Sequence, residues 1–398
     1  MKIGMFYDGP FPTHPRIKNE AVSLIRAGHD VSLFALEFGN RSLYEDIEGI
    51  KVFRYYIPRK IFKKLYALAF TIPLYKIVFK KKIRQFIQHN NIEAIHIHNI
   101  VIASPVMSVN KKFNLPVILD IHENKPVIMK YYPGIRSLLG KLLVNLNKWE
   151  KKQQEFVKKT DFVAVVTEEA KNDLLKYKNK QSEKIIILPN TIVIDQFIKK
   201  PLDQNIINRY SSYYVILYLG DTGLRRGVDT AIKAISNLKH NIPNVKLVVV
   251  GKSRDDKYYK SLVGKLGLKM YVDFEGWQQD TLFPSYIAAS SVCISPLRRN
   301  KHHDTTYANK IFQYMALGKP QVVSDSTAQA ELIKKLNCGL IHKAEDDKDL
   351  AKSILKLYQD QEKAEEMGLR GRKAIIEHLN WKECIKPLTE IYSSLKTS

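Results

Sequence analysis

Short apolar runs alternate with polar, helix-patterned stretches along nearly the whole chain, and this alternation restricts its fold more than any other feature. The first series is Lys2 to Phe6, Asp30 to Ala35, Ile92 to His98, Pro116 to Ile121, Phe162 to Val166 and Ile185 to Leu188. The second is Val215 to Leu219, Lys246 to Val250, Tyr271 to Phe274, Ser291 to Ile294, Gln321 to Val323 and Gly339 to Ile341. Such an order predicts βαβ units, because parallel strands need a crossover segment to return the chain to the same edge. An irregular stretch from Pro189 to Asn208, containing Pro201, separates the series. At 398 residues the chain exceeds one ordinary core, so two α/β domains are expected, 1–189 and 190–378. From Asp347 onward the pattern is helical, with Gly368 and Gly371 as breaks.

With 45% hydrophobic and 26% charged residues, the composition suits neither a disordered chain nor an integral membrane protein. Met1 to Tyr7 is a short apolar strand followed by Asp8-Gly9-Pro10, which lacks the basic head and cleavage site of a signal peptide. Cys293, Cys338 and Cys384 are scattered without CxxC spacing and read as reduced bystanders in a cytosolic protein. The net charge of +24 needs a partner or a reason. Between Lys51 and Ile92 stand eleven Lys or Arg residues and no Asp or Glu, interleaved with aromatic and aliphatic side chains. The uncharged core of that stretch, Leu65 to Tyr75, is too short to span a bilayer and contains Pro73. It predicts a segment lying on an anionic membrane surface, with a solvated basic face beside a core helix as the plain alternative. Nucleic acid is disfavoured, since no helix-turn-helix, zinc-ligand or RNA-binding aromatic motif accompanies the charge.

Asn309 to Gln321 reads NKIFQYMALGKPQ. Leu317-Gly318-Lys319-Pro320 is a helix stop made of a C-terminal glycine and a following proline. Upstream, Ser295 to Tyr307 is a polar loop carrying Arg298 and Arg299. Cations and free N–H groups delivered to a helix start favour a phosphate; a plain crossover helix is the alternative.

The same segment resembles the nucleotide-sugar signature of retaining GT-B glycosyltransferases of family 4, in the subgroup reading roughly N-K-I-F-E-Y-M-A-x-G-K-P. The resemblance extends in order through His122-Glu123, Val165-Val166-Thr167-Glu168, Ile187 to Thr191, Tyr218-Leu219-Gly220, Arg225-Arg226-Gly227 and Phe274-Glu275-Gly276-Trp277. It implies the GT-B fold: two Rossmann-like domains with parallel sheets facing a central cleft, an acceptor-binding first half and a nucleotide-sugar-binding second. It also implies that the last helix, about 379–398, packs back on the first domain, taking Trp381 with it.

Transfer from a nucleoside-diphosphate sugar requires a positive cradle for the departing diphosphate more than a general acid. No DxD-like carboxylate pair sits at a strand end. Asp255-Asp256 opens a helix and reads as an N-cap pair, so the expected cradle is metal-independent and needs no cofactor. The resemblance assigns the position before Gly227 to it, which is Arg226, with Arg225 second and Gly220 at the strand end. Where relatives have a second cation after that glycine this chain has Asp221, and Lys252 is a candidate replacement. Two glutamates separated by seven residues in the family are here Thr305 and Gln313; Gln313 keeps hydrogen-bonding capacity for a ribose hydroxyl. Asn309 and Lys310 lie at the helix start on the donor side, Asn309 with a plain N-cap as its alternative. His122 stands where the family has a histidine at the edge of the sugar pocket, although a histidine after a strand is often structural. Glu123 is an acceptor-side candidate or a helix-start carboxylate. Arg16, misplaced for the helix dipole, hints at an acceptor or phosphate contact. His96 and His98 share one strand face and lack an evident third metal ligand in the sequence.

The expectation is therefore a retaining, metal-independent glycosyltransferase at the inner face of the cell membrane. Its partners would be a nucleoside-diphosphate sugar, a glycan or lipid-linked acceptor in surface polysaccharide synthesis, and the membrane itself. The rivals are a nucleotide-sugar 2-epimerase and a GT-B-like binding protein without catalysis. A dinucleotide dehydrogenase is disfavoured, since no GxGxxG follows either first strand.

Overall fold

The computed structural model describes residues 1–130, 135, 144–177 and 180–397. The chain forms two compact units, Met1–Pro189 with Ile385–Ser398, and Asn190–Cys384.

The first unit is built on β1 (Lys2–Tyr7), β2 (Asp30–Glu37), β3 (Tyr44–Ile47), β4 (Ile50–Tyr56), β5 (Ala94–His98), β6 (Val117–Ile121), β7 (Phe162–Val165) and β8 (Ile185–Ile187). Their order in the sheet is β3-β4-β2-β1-β5-β6-β7-β8. All pairs are parallel except the β3–β4 hairpin. Its turn, Glu48-Gly49, has positive φ at both residues, the conformation that matches strand twist in a two-residue hairpin. Neither strand is among those expected from the sequence, because β3 is polar and exposed and β4 mixes Lys51 and Arg54 with its apolar residues. In β4, Arg54 occupies an inward position: its guanidinium is buried, pairs with Glu45 at 2.6 Å and bonds the carbonyls of Ser42 and Phe11. Helix Leu74–His89 packs Tyr75, Phe79, Ile83, Phe86 and Ile87 into the core, so the inner half of the basic stretch is core rather than surface.

The second unit is a six-stranded, all-parallel sheet. Its strands are β9 (Tyr214–Leu219), β10 (Val245–Val250), β11 (Val272–Gly276), β12 (Val292–Ser295), β13 (Gln321–Ser324) and β14 (Gly339–His342), in the order β11-β10-β9-β12-β13-β14. These strands are apolar on both faces because helices cover both faces of a parallel sheet. Among the parallel strands of each unit the order reverses at one place, between β1 and β5 in the first and between β9 and β12 in the second. The crevice beyond the strand carboxyl ends at such a point is where open α/β sheets bind ligands.

The terminal crossing differs from expectation. Trp381–Cys384 stays with the second unit, where the Trp381 N–H donates to the Ile192 carbonyl at 2.9 Å. Only the helix Lys386–Thr397 joins the first, burying Leu388 and Tyr392. The three cysteines are buried and free, and no helix among the described residues is long and apolar enough to cross a membrane.

Candidate active site

In the second unit the loops after β9 and β12 meet. Gly227 has φ +73°, and a Cβ there would lie 1.8 Å from the Pro296 carbonyl oxygen; only glycine permits that approach. The Arg298 N–H donates to the Arg225 carbonyl at 3.1 Å, joining the same loops. Asp255 and Asp256 hold the first loop from outside. Asp255 accepts the Leu224 N–H at 2.9 Å and Asp256 accepts the Thr222 hydroxyl at 2.5 Å. The expected N-cap role of Asp255 is thus corrected: its carboxylate reaches across to the neighbouring loop and makes no cap bond to its own helix.

Helix Lys310–Ala316 lies over this junction. The Tyr314 hydroxyl accepts the Leu219 N–H at 3.1 Å, fixing the helix at the carboxyl end of β9. Gly318, at φ +67°, closes the helix with its N–H on Met315, as the Leu-Gly-Lys-Pro stop predicts. Lys310 is buried, its Nζ 3.5 Å from the Tyr218 ring centroid, and a Cβ at Gly220 would stand 3.6 Å from it. That Nζ has no hydrogen-bond partner among the described residues. Burial, reinforced by the Arg226 guanidinium, holds the Lys310 ammonium well below the usual lysine range, against the pull of Asp221. Arg226 is partly exposed and pairs with Asp221 at 3.3 Å. The unusual Asp221 therefore engages the expected cradle arginine instead of only subtracting charge.

Other expected residues surround this centre unevenly. Gln313 is half-buried and Lys252 exposed. Asn309 is exposed and makes no side-chain cap bond, so its N-cap reading fails. Thr305 is buried, and its hydroxyl donates to the Lys301 carbonyl at 2.7 Å. Arg298 and Arg299 are not free cations for a phosphate: Arg298 pairs with Asp229 at 2.6 Å and Arg299 with Asp304 at 3.2 Å.

In the first unit Arg16 lies at the start of helix Pro15–Arg26 and is buried. Its Nε and Nη2 form a fork onto Asp120 at 3.0 and 2.8 Å, and Nη1 donates to the Leu188 carbonyl. The anionic contact that Arg16 makes in the structure is therefore Asp120, on β6, and the guanidinium is buried. His122 places Nδ1 3.0 Å from the same carboxylate, and its ring lies 5.0 Å from that of His14. Glu123 pairs with Lys125, while Asn124 caps the following helix.

Glu20, His96, His98 and Asp120 bring ligand atoms within 4.8 Å of one another, all buried. This corrects the expectation that the two histidines have no third ligand nearby. Arg16 already contacts both carboxylates, so a dication would sit beside a buried guanidinium. Burial, and then the Asp120 charge, push Glu20 well above the usual carboxyl range. Asp120 is held well below it by Arg16 and His122, which overcome its burial. Arg16 thus lies between two buried carboxyl groups whose pKa values folding drives apart, that of Asp120 downward and that of Glu20 upward. The cluster also anchors the terminal helix, since Tyr392 Oη lies 3.0 Å from His96 Nδ1.

Residues 16–196 match the family described as Glycosyltransferase Family 4, and residues 199–374 match Glycosyl transferases group 1. The chain belongs to the GT-B glycosyltransferases. Sucrose-phosphate synthase from Thermosynechococcus elongatus has the same fold, with a TM-score of 0.79 at 18% identity over 100% of this chain and 99% of that one. Anabaena HepE, solved in complex with UDP, gives 0.75 at 14% identity over 99% and 100%. EpsD of Bacillus subtilis, provisionally assigned as a glycosyltransferase, is 25% identical over 181 residues, 46% of this chain. The chain thus spans about half the length of that relative, 45%.

In this GT-B protein the fold gathers Gly220, Arg226 and Lys310 at the β9/β12 reversal, and leaves Lys252 and Asn309 in solvent. It also reveals two groups that the sequence did not single out. Asp8, just past β1, is buried; it accepts the Tyr75 hydroxyl at 3.0 Å and the Asn99 amide at 3.2 Å. Burial pushes its carboxyl up to about 6, with Lys125 opposing. The signal for Asp8 was a carboxylate directly after a buried strand. His303 is buried with Nδ1 2.7 Å from the Arg298 carbonyl, and burial lowers it to about 4; nothing local distinguishes it in the sequence. A hollow of about 730 Å³ lined by Lys158, Lys159, Asp161, Lys180 and Lys184 lies at the amino ends of β7 and β8, at the opposite end of the first sheet's strands from Asp8.

Proposed function

We propose that the protein transfers a sugar, with retention of configuration, from a nucleoside-diphosphate sugar to a glycan or lipid-linked acceptor in surface polysaccharide synthesis. The reading rests on Lys310, a buried ammonium without a hydrogen-bonding partner among the described residues, beside Gly220 at the reversal point and close enough to Arg226 to feel its charge. A buried cation in that position is completed by an anion. In the transfer the bond from the anomeric carbon to the diphosphate oxygen breaks. The acceptor oxygen bonds to that carbon and its proton passes to the departing phosphate.

Arg226 and Lys310 stabilise the charge gathering on the diphosphate, so no metal ion is required. Arg225, Lys252, Thr305, Asn309 and Gln313 contribute donor contacts, Gln313 to the ribose. In the first unit, which takes the acceptor, His122 is oriented by Asp120 through Nδ1, leaving Nε2 for a sugar hydroxyl. The enzyme works on the inner face of the cell membrane.

The test is a thermal-shift screen over nucleoside diphosphates and nucleotide sugars. A ligand binding only the folded state at about a hundred times its Kd adds about 2.7 kcal/mol. Stabilisation by one diphosphate, with nucleoside alone ineffective, is expected; no stabilisation by any of them refutes the reading. Binding without sugar transfer or donor hydrolysis would instead favour a non-catalytic binding protein. That second reading is supported by Thr305, whose hydroxyl is turned onto its own helix.

A further inference from the structure

Helix Leu74–His89 has two apolar sides. Tyr75, Phe79, Ile83, Phe86 and Ile87 recur at helical spacing on the inner side and fill the core. The outer side opens with Leu74, Ile77 and Val78, which are 48, 62 and 40% exposed, and continues with exposed Lys80 and Lys81. Helix Arg59–Ala67 packs beside it and has no fully buried residue. It exposes Ile61 among Lys60, Lys63 and Lys64. Of the eleven cations between Lys51 and Ile92, Lys51 pairs with Asp30 and Arg54 with Glu45; the others make no ion pair among the described residues.

Lysines alone would suit any polyanion. A nucleic acid or an acidic polysaccharide, however, offers nothing to a leucine, isoleucine and valine standing outward on one helical turn. A surface that is anionic at its face and hydrocarbon just beneath satisfies both, with lysine stems reaching up to headgroups while aliphatic side chains enter the acyl boundary. We infer that helices Arg59–Ala67 and Leu74–His89 form a docking surface for an anionic bilayer, through Ile61, Leu74, Ile77 and Val78 and the lysines around them.

This deepens the proposed function and rests on it in one respect, the nature of the acceptor. The docking helices also touch the ligand end of the first sheet. Tyr75, next to Leu74, donates its hydroxyl to Asp8, and the Tyr66 hydroxyl accepts from the Asn99 amide at 3.0 Å. Asp8 and Asn99 follow β1 and β5, the strands flanking the reversal point of that sheet. A protein seated by these helices presents that point to the membrane surface, so the acceptor is a saccharide carried on a lipid of the same leaflet.

Co-sedimentation of the full chain with phosphatidylcholine vesicles, with and without phosphatidylglycerol, tests the surface. Binding is expected with the anionic lipid only, partly resisting high salt. Changing Lys63, Lys64, Lys80 and Lys81 to Gln should weaken it by at least about tenfold, since each lysine near the surface contributes about 1 kcal/mol. Changing Leu74, Ile77 and Val78 to Ser should abolish the salt-resistant part while melting as the parent does. If the serine variant fails to fold, Ile77→Cys labelled with an environment-sensitive dye replaces it; the native cysteines are buried, and a blue shift on adding anionic vesicles is expected. Equal binding to both vesicles, salt-resistant binding unchanged in the serine variant, no dye shift, or displacement from vesicles by duplex DNA would each overturn the docking surface. Nucleotide binding by the same proteins without vesicles is read separately, so vesicle binding without nucleotide binding refutes the function and leaves the surface standing.

Discussion

The Lys310 ammonium lies over the Tyr218 ring, with Nζ 3.5 Å from the ring centroid. A ring face offsets part of the desolvation of a buried cation but supplies no hydrogen bond. Burial and Arg226 depress the Lys310 pKa, and a bound diphosphate would raise it again. At a pH between the free and bound values, nucleotide binding takes up a proton, so affinity falls as pH rises through that window. Titration calorimetry over a range of pH above the second phosphate ionisation of about 6, in buffers of different ionisation enthalpy, should show the uptake in the parent and lose it in Lys310→Met. The same buffer dependence in both proteins would rule this out.

Arg226→Ala should lower the rate of sugar transfer by about two to three orders of magnitude, the effect of removing one preorganised donor to a developing anion. Excess chelator should change the parent little. Full activity in the variant, or strict dependence on added Mn²⁺ or Mg²⁺, would contradict the cradle.

Gln313, half-buried on the signature helix, separates binding from chemistry. Gln313→Leu should weaken nucleotide binding by about 1–3 kcal/mol through an unpaired polar group, whereas Gln313→Glu should retain activity. Equal affinity in the Leu variant, measured by calorimetry, would remove this residue from the ribose.

Glu20 and Asp120 both contact Arg16, yet their replacement should act oppositely on stability. Asp120→Asn removes the forked carboxylate from the buried Arg16 guanidinium and leaves it Glu20 and the Leu188 carbonyl, a loss of up to about 3–5 kcal/mol at neutral pH. Because the Asp120 pKa is depressed by folding, its contribution is present above the ordinary carboxylate range and fades as pH falls through the folded value, so the variant and parent converge in acid. The Glu20 pKa is raised by folding, so that group favours the folded state only at low pH and loses this as pH rises. Glu20→Gln should therefore be neutral or stabilising at pH 7. Urea unfolding across pH checks both; a large loss in the glutamine variant would show that Glu20 is ionised.

Much of this fold is legible in the sequence. Strands buried on both faces read as continuous apolar runs wherever they end up in the sheet, so the strands of both series, apart from β3 and β4, announce themselves. The stop at Gly318 is equally local, since its left-handed φ depends on the residue and its nearest neighbours. Partners in space depend instead on strand order, which no local pattern encodes. Arg16 meets Asp120 across 104 positions because β1 and β6 flank β5, Asp255 turns from its own helix to Leu224, and Arg298 is neutralised by Asp229. Sequence alone determined the elements and the chemical types available for a phosphate site. Only the tertiary structure decided which cations were already paired and which one, Lys310, was buried without a hydrogen-bonding partner among the described residues, because pairing and burial follow from which loops the strand order brings together.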